Sequence, residues 1–184
     1  MPTSDSWGKE EFKQLVLRVS QERPIKRILD VGAGCGTYSD LLNPALPIEQ
    51  FDAVEAWAPY IGQYNLHHKY DIVVPTDVRL LSPVNLNNYD LIIFGDVLEH
   101  MPKMDALKLI YSLHFPTAIA ICIPVLHLEQ GEVNGNPYEV HKMENHWTFD
   151  EMDATLKLML HEAPGTYCNL EVIRGDVVAY FLMW

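Results

Sequence analysis

Cysteine is scarce in this 184-residue chain: Cys35, Cys122 and Cys168 are scattered, and no C-x-x-C pair occurs. That removes the usual zinc and dithiol redox motifs, and Cys122, inside an apolar run, reads as a small buried residue. No apolar run approaches the ~20 residues that a membrane span needs. The opening Met-Pro-Thr-Ser-Asp-Ser-Trp lacks the basic and apolar regions of a secretory signal, so a reducing cytoplasm is the expected location. Repeats, linkers and low-complexity segments are also missing. Clustered basic residues are absent too: 13 Lys and Arg face 25 Asp and Glu, for a net charge of −12. The nearest approach to a cluster, Lys9 to Arg27, interleaves with Glu10, Glu11 and Glu22 and reads as a solvated helix face. Double-stranded nucleic acid is therefore a disfavoured partner, since neutralising phosphates takes grouped Lys and Arg.

What is present suits one globular domain, residues 1–184, with 48% hydrophobic residues and enough length for a sizeable core. Phe12, Leu15, Val16 and Val19 fall at helical spacing within 8–22, giving a leading helix (1–24) that Pro24 ends. Strands are predicted over 26–31, 50–55, 70–74, 89–95 and 118–123. The fourth is almost wholly apolar, as a central parallel strand should be. Helices are predicted after Gly36, from Pro59 through Tyr64, and from Pro102 through Tyr111. The stretch 78–88 reads as a loop. Residues 125–147 form a long irregular segment with His127, His141 and His146, and long loops inside a compact domain are usually functional. Thr148-Phe-Asp-Glu151 is a capping box opening a helix. Two strands, 167–174 and 177–184, then meet at Gly175-Asp176 as a hairpin. This alternation predicts an α/β fold, a mostly parallel sheet with an antiparallel edge.

The chain is organised around Arg27-Ile-Leu-Asp-Val-Gly-Ala-Gly-Cys-Gly-Thr37, a strand, a glycine turn and a helix start. Such a turn brings backbone close to a ligand, although glycine turns also close ordinary αβ units. A dinucleotide fingerprint needs G-x-G-x-x-G/A, and Thr37 stands where its third glycine would be. Acids follow at intervals: Glu55 closes the run Phe51–Val54, and Asp77 follows Ile72–Val74. An acid at the tip of a second parallel strand reaches the hydroxyls of a bound ribose. Then comes Tyr89-Asp-Leu-Ile-Ile-Phe-Gly-Asp-Val-Leu-Glu-His-Met101.

The string D-x-G-x-G-x-G from Asp30 resembles motif I of the class I S-adenosylmethionine-dependent methyltransferases, and Tyr89–Met101 resembles their motif IV. The resemblance runs from about Ile25 to the C-terminus. It implies a Rossmann-like seven-stranded sheet of order 3-2-1-4-5-7-6 with S-adenosylmethionine as cofactor. The implied cofactor-binding residues are Asp30, Gly32, Gly34, Gly36, Glu55, Asp77, Val78 and Asp96. In this frame Asp30 serves the methionine ammonium, directly or through water, and the helix starting near Thr37 offers N–H groups to its carboxylate. Glu55 takes the ribose and Asp77 the adenine amino group.

Methyl transfer is an in-line displacement on a sulfonium, so much of the work is bringing two reactants together. His141 and His146 are the candidate catalytic bases, because the loop after strand five borders the acceptor pocket in relatives. Ordering of the loop, or packing against Trp147, is the alternative for each. If 96–100 forms one helical turn, Asp96, Glu99 and His100 share a face. Two carboxylates and an imidazole suit Mg²⁺ or Mn²⁺. The string is similar to the E-x-x-E-H site of plant small-RNA 2′-O-methyltransferases and ubiquinone-pathway O-methyltransferases, with Asp96 one methylene shorter than their Glu. There a later histidine completes the set, a part open to His141 or His146. Neither the [NDS]-P-P-[YF] motif of amino-methylating DNA enzymes nor a Pro-Cys pair is present. The expectation is methylation of a hydroxyl on a small molecule, sugar or quinone. A silent cofactor-binding subunit and a metal-dependent 2′-O-methyltransferase on an RNA end are the alternatives. Aminopropyl transfer from the decarboxylated cofactor also stays open.

Overall fold

A computed structural model describes residues 6–114, 116–127, 129–162 and 167–184. The first five residues of the predicted leading segment and position 128 of the long loop lie outside the described residues. Seven strands form one sheet: β1 (Arg27–Val31), β2 (Gln50–Val54), β3 (Val73–Val74), β4 (Leu91–Gly95), β5 (Ala118–Pro124), β6 (Leu170–Arg174) and β7 (Val178–Met183). Their order is β3-β2-β1-β4-β5-β7-β6. The strands from β3 to β5 pair in parallel, and β7 joins β5 and β6 antiparallel. This is the predicted fold.

Alternation along the strands feeds two apolar layers. Ile28 and Phe51 pack with Phe12 and Val16 of α1 (Lys9–Glu22) and Leu42 of α2 (Thr37–Leu42). Ile61 of α3 (Ala58–Gln63) joins the same layer. Leu29, Ile92 and Ile119 pack with Ile110 of α5 (Lys103–Tyr111) and with Met152 and Leu156 of α6 (Phe149–Glu162). The central strands are buried on both faces, as parallel strands covered by helices must be. Edge strand β6 is mostly exposed.

Two local readings change. The third strand is two residues long, because before it side-chain carboxylates take ladder donors: Asp71 accepts from the Phe51 N–H and Asp52 from the Ile72 N–H. The stretch 78–88 is not a plain loop: a 3₁₀ turn (Val78–Leu80) precedes the short helix α4 (Pro83–Leu86), which opens on Pro83. In α5 the inward residues are Ala106, Leu109 and Ile110, while Met104 and Tyr111 are exposed. The Thr148 capping box forms as read, with Thr148 and Glu151 exchanging hydrogen bonds.

Candidate active site

A cavity of about 420 Å³ opens beyond the carboxyl ends of β1, β2 and β4. This is where strand order reverses and ligands of open α/β sheets bind. Gly32, Gly34 and Gly36 all have positive φ, which only glycine adopts cheaply. Gly32 and Gly34 line the cavity, whereas Gly36 caps α2 away from it. The turn is tied to β2 by the N–H groups of Gly32 and Ala33, which donate to the Val54 carbonyl.

Glu55, at the tip of β2, is buried and lines the cavity. Its carboxylate accepts from the N–H of Gly34 (2.9 Å) and of Trp57 (2.8 Å), which fixes its direction. Burial pushes its pKa up, and those two N–H donors oppose the shift. Asp77 and Val78 line the adjoining wall. The Arg79 guanidinium clasps Asp77 and holds its carboxyl below the usual range.

Asp30 stands behind the turn. It is fully buried beneath the turn, off the cavity wall, and accepts from the Tyr70 hydroxyl. Burial raises its pKa to about 7, against the pull of Tyr70 and of the Lys9 ammonium. Asp96 does reach the wall. It sits at φ 55, a left-handed conformation uncommon outside glycine and typical of functional sites. Its N–H donates to the Cys122 carbonyl (3.0 Å), and the Cys122 thiol donates to Oδ1 (3.2 Å).

That kink corrects the helical-turn expectation for 96–100. The 3₁₀ turn begins only at Leu98, so Asp96 does not share a face with Glu99 and His100. Among the described residues, the group whose ligand atoms lie within 4.8 Å of one another is Glu99, His100 and His141. The rings of His100 and His141 are 4.7 Å apart. Glu99 is 3% exposed, and among the described residues neither of its carboxylate oxygens has a hydrogen-bond partner; Nδ1 of His100 has none either. Burial, then Asp96, drives the Glu99 pKa well above the carboxylate range. Burial and the facing His141 lower His100 to about 4. Orphaned buried donors of this kind fit a divalent cation. His146 is placed apart. It stacks on His127 with centroids 5.4 Å apart, in a small neighbouring recess.

The long loop folds over the opening, its Gln130 bridging to His141. Glu139 accepts from the Tyr60 hydroxyl (3.2 Å), and Gln130 Nε2 donates to the Glu139 carbonyl (2.7 Å). Tyr38, Tyr60, Arg79 and Glu139 line the cavity unannounced by any motif. Tyr38 and Tyr60 lie on apolar helix stripes that sequence reading assigns to core, and Glu139 needs the fold of the loop to be seen.

Sheet order, glycine turn and acids at successive strand tips define an S-adenosylmethionine-dependent methyltransferase of class I. The family model described as a methyltransferase domain matches residues 4–163, and the chain belongs to that family. No curated protein matches it by sequence. Among solved structures it is similar to the methyltransferase domain of bacterial CtHen1-CN, at 17% identity and TM-score 0.66, covering 95% of this chain and 97% of that one. It is also similar to the plantazolicin methyltransferase BpumL in complex with SAH, at 13% identity, TM-score 0.64 and coverage of 96% and 82%. The DhpI–SAH complex aligns at 13% identity and TM-score 0.63, over 97% and 87%.

Proposed function

We propose that the chain methylates a hydroxyl oxygen of a small acceptor, held beside the Glu99–His100–His141 cluster with a bound Mg²⁺ or Mn²⁺. The observation that carries this reading is the buried Glu99 carboxylate, unpartnered at both oxygens and flanked by two imidazoles at the cavity wall. A buried carboxylate in that condition costs folding free energy unless a ligand completes it. When bound, a divalent ion would act as a Lewis acid on the acceptor hydroxyl, easing loss of its proton.

The remaining work falls to the chain itself. Glu55, oriented by two backbone N–H groups, accepts from the ribose hydroxyls, and Asp77 with Val78 frames the adenine. Gly32 and Gly34 let backbone approach the methionine part, and Asp96 faces its ammonium. His141 borders the acceptor side; His146, turned into its own recess, is not assigned a part. The loop closes over the opening and excludes water, which strengthens each of these polar contacts. The charge of the wall narrows the acceptor. Glu55, Asp77, Asp96, Glu99 and Glu139 outnumber Arg79, itself paired with Asp77. A neutral hydroxylated molecule suits that wall better than a polyanion.

The test is transfer of labelled methyl from S-adenosylmethionine to a panel of catechols, sugars and ribosides, with Mg²⁺ and with chelator. Metal-dependent labelling of a hydroxyl, lost in Glu99→Gln, is the expected result. Equal turnover in chelator would overturn the metal part of the reading.

A further inference from the structure

We infer that Tyr138 sets acceptor specificity: its ring is the platform on which an aromatic ring of the acceptor stacks, with the reacting hydroxyl on that ring or on the group beside it. The inference rests on the cavity being a methyl-transfer site. Tyr138 lines the cavity and is 42% exposed. The other tyrosines of the wall, Tyr38 and Tyr60, are buried, with hydroxyls bonded to Lys9 and to Glu139. Among the described residues of the wall, Tyr138 is therefore the phenol ring that is open to a ligand.

The backbone holds that ring in place. Asn134 and Gly135 turn the chain, with φ of 54 and 78. Asn136, 2% exposed, then donates its N–H to the Val133 carbonyl at 2.9 Å. Its side-chain oxygen accepts from the Tyr138 N–H, also at 2.9 Å. Pro137 stands between the two at a restricted φ. On the other side, Glu139 is tied to Tyr60 and to Gln130. An exposed ring on a turn fixed at both neighbours is already arranged for a flat partner, and tyrosine has few torsions left to order.

The surroundings favour a flat ring over a polyol. Met101, Pro124, Val177 and Val178 add apolar surface to the same cavity. The polar side chains of the loop already carry bonds of their own: Gln130 donates to the Glu139 carbonyl, Asn136 accepts from Tyr138, and Glu139 accepts from Tyr60. A sugar would leave hydroxyls without partners there, which is costly once water is excluded. An aromatic ring asks for no such partners, and ring-on-ring contact adds to the gain from its burial. His141, on the same loop, meets Glu99 and His100 at the wall. A ring seated on Tyr138 therefore shares the cavity with the cluster that receives its hydroxyl.

Calorimetry on protein saturated with S-adenosylhomocysteine and Mg²⁺, using catechol, uridine and methyl glucoside as ligands, tests the platform. Catechol or uridine should bind, and Tyr138→Ala should weaken that ligand about tenfold, the weight of one stacked ring. Tyr138→Phe keeps the ring and should bind as the unchanged protein does. Binding of catechol alone would put the hydroxyl on the ring, and of uridine alone on the sugar beside it. The platform is overturned if the glucoside binds as well as either, if neither ring ligand binds, or if Tyr138→Ala changes nothing. An equal loss of S-adenosylhomocysteine affinity in Tyr138→Ala would also overturn it, since the residue would then be holding the loop. Ring binding that depends on Tyr138, with no labelled methyl reaching either ligand, would instead overturn the methyl-transfer reading and leave the platform standing.

Discussion

Asp30 and Glu99 are two buried carboxyl groups with different futures. Asp30 has a phenol as partner and a folded pKa near 7, against an ordinary value of 3.8. Between those values the folded chain keeps a proton that the unfolded chain has released. Stability therefore falls as pH rises through that window, by up to ~1.4 kcal/mol per unit. Asp30→Asn should flatten the slope, which denaturant melts of cofactor-free protein at pH 5 and pH 8 would show. An unchanged slope would mean that Asp30 is charged in the folded state. Glu99 has no hydrogen-bond partner among the described residues, so Glu99→Gln should stabilise the metal-free protein by about 1–3 kcal/mol at pH 8. A loss of stability there would mean that the carboxylate is held by something other than a ligand. At the ribose site, Glu55→Ala should weaken S-adenosylhomocysteine by ~1–3 kcal/mol in calorimetry, because a charged hydrogen bond is lost.

At the scale of elements, the end of β4 and the start of α2 meet too closely for a side chain. A methyl group at Gly95 would lie 2.0 Å from the Tyr38 ring and 2.8 Å from its hydroxyl. Gly95→Ala should push Tyr38 from the wall, costing about 1–3 kcal/mol of stability and lowering cofactor affinity with it. A thermal melt and a titration read the two effects. Among the described residues, Glu139 ties the loop over the cavity to α3 by accepting from the Tyr60 hydroxyl, and its carbonyl accepts from Gln130. Tyr60→Phe should therefore speed hydrogen exchange over 130–141 several-fold, as loss of ~1 kcal/mol of local stability implies. These elements also mark how far the sequence could be read. The Asp30 turn, the Glu55 tip and the capping box carry their geometry in local pattern. The kink at Asp96 does not, since nothing in Gly95-Asp-Val-Leu98 announces a left-handed residue. A helical-face argument across it sets Asp96 beside Glu99 and His100, where the structure brings His141.

Across the whole molecule, topology was the most legible property, because alternating strand and helix patterns leave few arrangements of a parallel sheet. The partners brought together by distant parts of the chain were the least legible. His141 meets Glu99 and His100 only once the loop folds back. Lys9 meets Tyr38 only because α1 docks beside α2, and from sequence it read as one charge on a solvated face. Among the described residues, no helix is long and apolar enough to cross a membrane. The acids of the cavity repeat the sign of the chain's net charge of −12, so a cation is the natural complement of both. The most direct test is a titration with Mn²⁺ in the presence of S-adenosylhomocysteine, followed by electron paramagnetic resonance. One tightly bound ion per chain is predicted, absent from Glu99→Gln and from His141→Ala. No saturable ion, or one that survives both substitutions, would contradict the account.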